Sequence, residues 1–237
     1  MSRGLQISAI IPARAGSKGL KDKNIYPVFN KPLIYYTLLQ AKMSTMIDSI
    51  FVSTNDKRIN EISDKLDIDI IERPADLCSD TATSESALLH AIEVINNDHL
   101  IYPDIIVFLQ VTSPLRLIDD IDKSIEQFIN EKVDSMFSAT RMDDLTLWQK
   151  KNDIWKSINF DHSNRLRRQE MPNNYIENGS IYITKPKILK RHNNRLAGKI
   201  SVYEMQFWQT WEIDTIEEID LIEYYMKKYK IDKINEF

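Results

Sequence analysis

Apolar positions along the chain alternate between two periods, and that alternation predicts a layered α/β protein. Ile7 to Ile11, Ser49 to Thr54, Ile68 to Ile71 and Asp104 to Leu109 are short, β-branched runs with the length of strands. The last (DIIVFL) is apolar almost throughout, the pattern of a strand covered on both faces. Between these runs the spacing turns helical. Pro32 to Met43 carries Leu33, Ile34, Leu38 and Ala41 on one face, with proline in the first turn. Asn55 and Asp56 are good caps for a helix bearing Ile59, Ile62 and Leu66. Ser84 to Asn96 presents Ala87, Leu88, Ala91, Ile92 and Ile95, and a further helix carries Ile118, Ile121, Ile125, Phe128 and Ile129. Ser135 to Thr140, Asn178 to Thr184 and Ile200 to Glu204 read as strands, and a last helix carries Ile216, Ile219, Ile222 and Met226. Strands and helices in alternation with short connections predict a doubly wound, mostly parallel sheet. Ligands of such sheets sit beyond the carboxyl ends of the strands, so the loops at Arg14, Gln110 and Arg141 would share one rim.

From Met142 to Pro172 the pattern breaks. Trp148, Trp155, Phe160 and the cluster Arg165, Arg167 and Arg168 fit no simple period, which predicts an excursion from the sheet over about 142–175 within a single domain spanning 1–237. Its apolar side chains suit either a second subunit or a hairpin folded back on its own domain. The whole chain of 237 residues, 43% hydrophobic and 28% charged, is ordinary for a soluble protein. A net charge of −4 argues against general nucleic-acid binding. The single cysteine, Cys78, permits no internal disulfide and reads as a small buried side chain in a reducing compartment. With no stretch approaching the roughly 20 apolar residues of a membrane span, the expected location is the cytoplasm. The four histidines have no metal-ligand spacing.

The chemistry is concentrated where the first strand ends. Ile10 to Asn24 turns from an apolar run into a loop with two glycines and with Arg14, Lys18, Lys21 and Lys23. Glycine lets backbone N–H groups approach an anion, and the cations supply the charge that a polyphosphate needs. Neither the Walker pattern nor G-x-G-x-x-G is present. Taken alone, four cations are equally compatible with a solvated basic turn. Four later stretches add polar groups. Glu72 to Thr81 puts Arg73 beside a Ser/Thr-rich turn, and Gln110-Val111-Thr112-Ser113-Pro114-Leu115-Arg116 places amide and hydroxyl groups at the mouth of a buried strand. Arg168 to Tyr182 combines guanidinium with Tyr175, Asn178 and Gly179. Glu212-Ile213-Asp214 alternates two carboxylates on an extended segment, so both point to one side and suit Mg²⁺, or else Asp214 caps a helix. Arg116 at a helix start, and Arg165, Arg167 and Arg168 as a charge run, each have an ordinary structural reading.

From Ile11 through Asn24 the loop has every fixed position of the pattern I-P-A-R-x-G-S-K-G-x-x-x-K-N, and so resembles the signature of the cytidylyltransferases that activate sialic acids and related nine-carbon 2-keto sugar acids. The other four stretches match that family in order. The resemblance implies a Rossmann-like nucleotidyltransferase fold with a dimerisation or lid excursion, a homodimer, and transfer of CMP from CTP to the sugar acid with Mg²⁺, in a pathway to cell-surface polysaccharide. It implies that Ala13, Arg14, Lys18, Lys23, Asn24, Arg73 and Ser84 hold the nucleotide. Gln110, Arg168, Tyr175, Asn178 and Gly179 would hold the sugar acid, Arg168 pairing with its carboxylate. Asp214 and Glu212 would hold the metal, and Arg14, Lys23 and Asp214 would be catalytic. Glu212 stands where the family commonly has aspartate. Trp148 and Ile176 stand where many members carry a lysine and some an arginine, which keeps a legionaminic-type acid beside N-acetylneuraminic acid as the acceptor. Two other readings remain: an enzyme activating the eight-carbon acid Kdo on the same fold, and a nucleotide-binding module without turnover.

Overall fold

The computed structural model describes residues 4–17, 19–79, 81–142 and 145–236. In chain order its elements are β1 (Ile7–Pro12), β2 (Pro27–Val28), β3 (Lys31–Pro32), α1 (Leu33–Met43), β4 (Ser49–Thr54), α2 (Lys57–Lys65), β5 (Asp69–Glu72), α3 (Ser84–Asn97), β6 (Ile105–Leu109), α4 (Asp120–Glu131), β7 (Ser135–Met142), β8 (Trp148–Lys151), β9 (Ile154–Ser157), β10 (Asn174–Thr184), α5 (Pro186–His192), β11 (Ile200–Met205) and α6 (Glu217–Lys228). Seven strands form one sheet in the order β11-β7-β10-β6-β1-β4-β5. Pairing is parallel except at β10, which runs antiparallel to both β6 and β7.

Side-chain alternation along the strands divides the core into two layers. Ile7, Ile11, Val107, Leu109, Ile181 and Ile183 face α1, α4 and α6, whereas Ile10, Phe51, Ile71, Ile106, Phe108 and Tyr182 face α3 and α5. Every residue of β6 is buried, as its unbroken apolar run requires. The cap of α2 is Asp56, whose side chain accepts from Arg58 N at 3.0 Å.

Two helices begin later than their apolar pattern suggests. α4 starts at Asp120 and α6 at Glu217, which leaves Ile118 and Ile216 at the helix mouths, 49% and 58% exposed. The chain leaves the sheet after Met142. There β8 and β9 pair as an antiparallel hairpin whose two-residue turn, Asn152-Asp153, has positive φ at both positions. Trp148 packs edge-on against Phe160, while Ile154, Trp155, Ile158 and Leu166 are all more than half exposed. No helix among the described residues is long and apolar enough to cross a membrane.

Candidate active site

The carboxyl ends of β1, β5 and β6 open onto one cleft of about 450 Å³. Each strand delivers a polar residue as it ends: Arg14 after β1, Arg73 after β5 and Gln110 after β6. The N-terminal turn of α3 closes one side with Thr83, Ser84 and Ala87, and its positive end favours an anion there.

The loop after β1 is held in shape by its own polar groups. Thr54 Oγ1 donates to Ala13 O at 2.6 Å, Ala15 N to Asn55 Oδ1 at 2.9 Å and Lys23 N to Ser17 Oγ at 3.0 Å. Asn24 Nδ2 donates to Arg14 O at 3.0 Å, and Arg14 Nη1 to Gly16 O at 3.1 Å. Arg58 ties Asp22 to the cap of α2 through contacts of 2.8 Å to Asp22 and 2.7 Å to Asp56. Gly19 is needed for close approach, since a Cβ there would lie 2.6 Å from Asp214 O. That approach brings the loop to the last motif, where Lys23 Nζ meets Asp214 Oδ1 at 2.6 Å.

Arg73 is 6% exposed, and its bonds go to Ser53, from Nε to Oγ at 3.0 Å and from Nη2 to O at 2.7 Å. Burial pulls its guanidinium pKa down, and the Arg14 charge adds to this. A half-satisfied buried cation facing a cleft is a binding group for a negative ligand. Glu212 lies on the other side. Its Oε2 accepts from Gln110 Nε2 at 2.6 Å and Thr112 Oγ1 at 3.2 Å, and burial pushes its pKa up, with the neighbouring Asp214 charge acting in the same direction. β10 carries a register shift between Glu177 and Tyr182, and the resulting bend lays Gly179 (φ +65) against Glu212. A Cβ on Gly179 would lie 2.4 Å from Glu212 Oε1. Among the described residues no three His, Cys, Asp or Glu side chains cluster as a metal cage. Two carboxylates on one extended segment still fit a cation that fills its shell with water and phosphate.

Of the residues singled out in the sequence, Arg14, Lys23, Asn24, Arg73, Ser84, Gln110 and Asp214 line this cleft. Ala13 is buried next to the lining Pro12 and Arg14; Glu212 lies behind the lining Gln110, which donates to it, and Gly179 lies against Glu212. Asn178 lies inside the sheet: its Oδ1 accepts from Ser138 Oγ at 2.6 Å and its Nδ2 donates to Gln209 O at 3.2 Å, so its amide is satisfied there. Tyr175 stands apart, donating to Glu204 Oε2 at 3.0 Å across the β10 and β11 surface. Lys18 lies outside the described residues; Arg168 is described only as backbone, in a 3-10 turn, Arg168–Glu170. Phe108 lines the cleft without having stood out in the sequence, and Thr112 lines it as a hydroxyl of the stretch that also supplies Gln110. Thr112 sits inside the Gln110–Arg116 motif, two residues from the amide it assists, and that spacing was its signal.

The family model of the cytidylyltransferases matches residues 8–234. The N-acylneuraminate cytidylyltransferase of Streptococcus agalactiae serotype V is 31% identical over 213 residues, covering 88% of this chain and 50% of the relative. That of Escherichia coli O18:K1:H7 is 30% identical over 223 residues, 91% of this chain and 51% of the relative. The chain thus spans about half the length of these curated relatives. The pseudaminic acid cytidylyltransferase of Campylobacter jejuni is 28% identical over 215 residues, covering 89% of this chain and 92% of the relative. Among solved structures, a CMP:2-keto-3-deoxy-manno-octonic acid synthetase complexed with CTP superposes with a TM-score of 0.70 at 16% identity, over 94% of this chain and 99% of that one. A 4-diphosphocytidyl-2C-methyl-D-erythritol synthase from Anaerococcus prevotii gives 0.67 at 17%, over 94% and 99%. At such identities the likeness is one of fold. With the match running from the first strand to the last turn, the chain belongs to the cytidylyltransferase family.

Proposed function

We propose that this protein transfers CMP from CTP to a nine-carbon 2-keto sugar acid and releases pyrophosphate. The observation that carries the reading is the cleft itself, which gathers Arg14, Lys23 and the buried Arg73 with Gln110, Thr112 and Asp214, while Glu212 accepts from Gln110 and Thr112 beside it. Its cationic half suits the triphosphate and nucleoside of CTP, with Ser84 at the turn of α3 and Asn24 bracing the loop. Its amide and hydroxyl half, Gln110 and Thr112 beside Gly179, suits a polyhydroxylated acid. Arg168 is the proposed partner of that acid's carboxylate, and Lys18 a further phosphate contact. The acceptor's anomeric hydroxyl gives up its proton to solvent as its oxygen forms a bond to the α-phosphorus, the bond from that phosphorus to the bridging oxygen breaks, and pyrophosphate leaves. The chain contributes alignment and charge neutralisation. Arg14 and Lys23 bind the phosphate oxygens on which negative charge accumulates. The Lys23–Asp214 pair is exposed on the aspartate side (65%), so phosphate can replace the carboxylate at little cost. Asp214, released, and Glu212 would hold Mg²⁺, which when bound supplies further neutralisation of phosphate charge.

We further propose that the protein works in the cytoplasm as a homodimer, with 1–237 as one catalytic domain and the 142–175 arm docking on the second copy. The exposed Ile154, Trp155 and Ile158 support that role for the arm.

The test separates turnover from binding. Arg14→Ala should weaken CTP binding by about tenfold, the loss of one charge-assisted contact. Asp214→Ala should keep CTP affinity within a few-fold and lose pyrophosphate release. Wild-type protein that binds CTP and never releases pyrophosphate with any sugar acid would leave only a nucleotide-binding module.

A further inference from the structure

Arg116 is a wholly buried cation, 1% exposed, and every bond it makes is to a neutral oxygen. Its Nη2 donates to Gln110 O at 2.6 Å and to Ser180 O at 2.7 Å, with Nε reaching Ser180 O at 3.3 Å. Its Nη1 donates to Gln40 Oε1 at 2.9 Å and Thr37 Oγ1 at 3.3 Å. Gln40 closes the ring by donating from Nε2 to Pro114 O at 2.8 Å and Arg116 O at 3.2 Å. Two carboxylates act on its charge without bonding to it: Asp120, which accepts from Leu117 N, Gln209 Nε2 and Tyr203 OH, and Glu212, which accepts from Gln110 Nε2 and Thr112 Oγ1.

A guanidinium buried against neutral partners is a poor way to stabilise a core, where an apolar side chain of similar volume packs at lower cost. What the charge does instead is written in its partners. Its two shortest bonds go to main-chain carbonyls of two different segments. One is Gln110, where β6 ends and the cleft begins. The other is Ser180, the residue after the Gly179 bend that lies against Glu212. We infer that Arg116 is a positioning residue for the acceptor half of the cleft: its planar fork fixes the distance between the strand end bearing Gln110 and the bent segment of β10 that backs Glu212. The nucleotide half, built on Arg14, Lys23 and Arg73, has no bond to it. This inference rests on the proposed reaction, in which the sugar acid occupies the Gln110 side. A lysine, a point charge without the fork, cannot hold two carbonyls and two side chains at once.

The experiment compares full-length wild type with Arg116→Lys, Gln40→Met and Thr37→Val; the last two each remove one bond to the guanidinium. CTP affinity is measured by calorimetry, acceptor KM and kcat by pyrophosphate release with the nine-carbon acid that wild type uses, and local opening by amide hydrogen exchange. Arg116→Lys should raise the acceptor KM by about tenfold or more, as expected for reactive groups displaced by a fraction of an ångström. CTP affinity should stay within about twofold, and kcat should change less than KM. Exchange should quicken in 110–113 and 178–181 and stay unchanged in α2 and α3. Gln40→Met should show the same pattern more weakly, and it carries the test together with Thr37→Val if Arg116→Lys does not fold. Equal losses in CTP and acceptor binding, no change in either, or faster exchange through the whole sheet would overturn the inference. A wild type without turnover would contradict the proposed reaction, and the exchange pattern alone would then decide the role of Arg116.

Discussion

Glu212 sits where an ionised carboxylate costs stability. Burial raises its pKa above the ordinary 4.5, so between the two values the folded protein binds more protons than the unfolded chain. Stability from this group therefore falls as pH rises through that window, and at neutral pH the ionised carboxylate is a net cost. Glu212→Gln keeps the acceptor oxygen for Gln110 and Thr112 but removes the charge. The thermal midpoint at pH 7 should rise, and the gain should shrink as the pH is lowered toward the unfolded glutamate's value. Turnover should fall by about 10-fold to 100-fold, the usual effect of losing a group that ligates or orients a cation. A variant less stable than wild type at pH 7, or one fully active, would be inconsistent with this placement. Arg73 follows the same logic with the opposite sign of charge: burial disfavours its cation, which is half satisfied by Ser53.

The elements that deliver these residues depend on local signals of unequal clarity. Asp56 caps α2 and is gripped by Arg58, whose hydrogen bonds hold its carboxyl below the ordinary 3.8 despite burial. A depressed carboxylate stabilises the fold above its unfolded pKa, and the contribution is lost as pH falls through its folded one. Asp56→Ala should cost about 1 kcal/mol at neutral pH, measured by urea denaturation, with the difference closing in acid; an undiminished difference at pH 2 would rule out the ionised cap. Caps and apolar runs of this kind made most of the sheet legible, because a buried strand such as IIVFL and a capped helix announce themselves within a few residues. β10 was legible as a strand and not as the reversed one, since strand direction depends on pairing with β6 and β7 far away in sequence. The hairpin carries a signal in Asn152-Asp153, the residue types that tolerate paired positive φ, yet the sequence offers a hairpin only as one of two readings of this excursion because its strands alternate poorly. Ile118 and Ile216 fitted the helical period and failed because burial, not spacing, fixes where a helix starts. At the site, loop motifs marked the cationic half well. They did not reveal that Asn178 points into the sheet, because an amide reads the same in sequence whether it faces a ligand or Ser138.

The molecule as a whole gathers the ends of three strands around one cleft and extends an apolar arm from the same sheet. On a chain of net charge −4 the cleft still brings Arg14, Lys23 and Arg73 together, which favours a small anionic ligand over a polyanion spread across a face. If the arm docks on a second copy, Trp155→Glu should shift the species seen by light scattering from dimer to monomer while leaving the midpoint of unfolding by dilute-protein circular dichroism within a few degrees; a wild type that is monomeric at micromolar concentration would refute the docking role. The central claim, that this cleft joins CTP to a nine-carbon acid, is tested most directly by Mg²⁺-dependent pyrophosphate release from CTP with N-acetylneuraminic, legionaminic, pseudaminic and Kdo acids in parallel. The account predicts release with at least one nine-carbon acid and none with Kdo. Release with Kdo alone, or silence across all four acids by a protein that binds CTP, would contradict it.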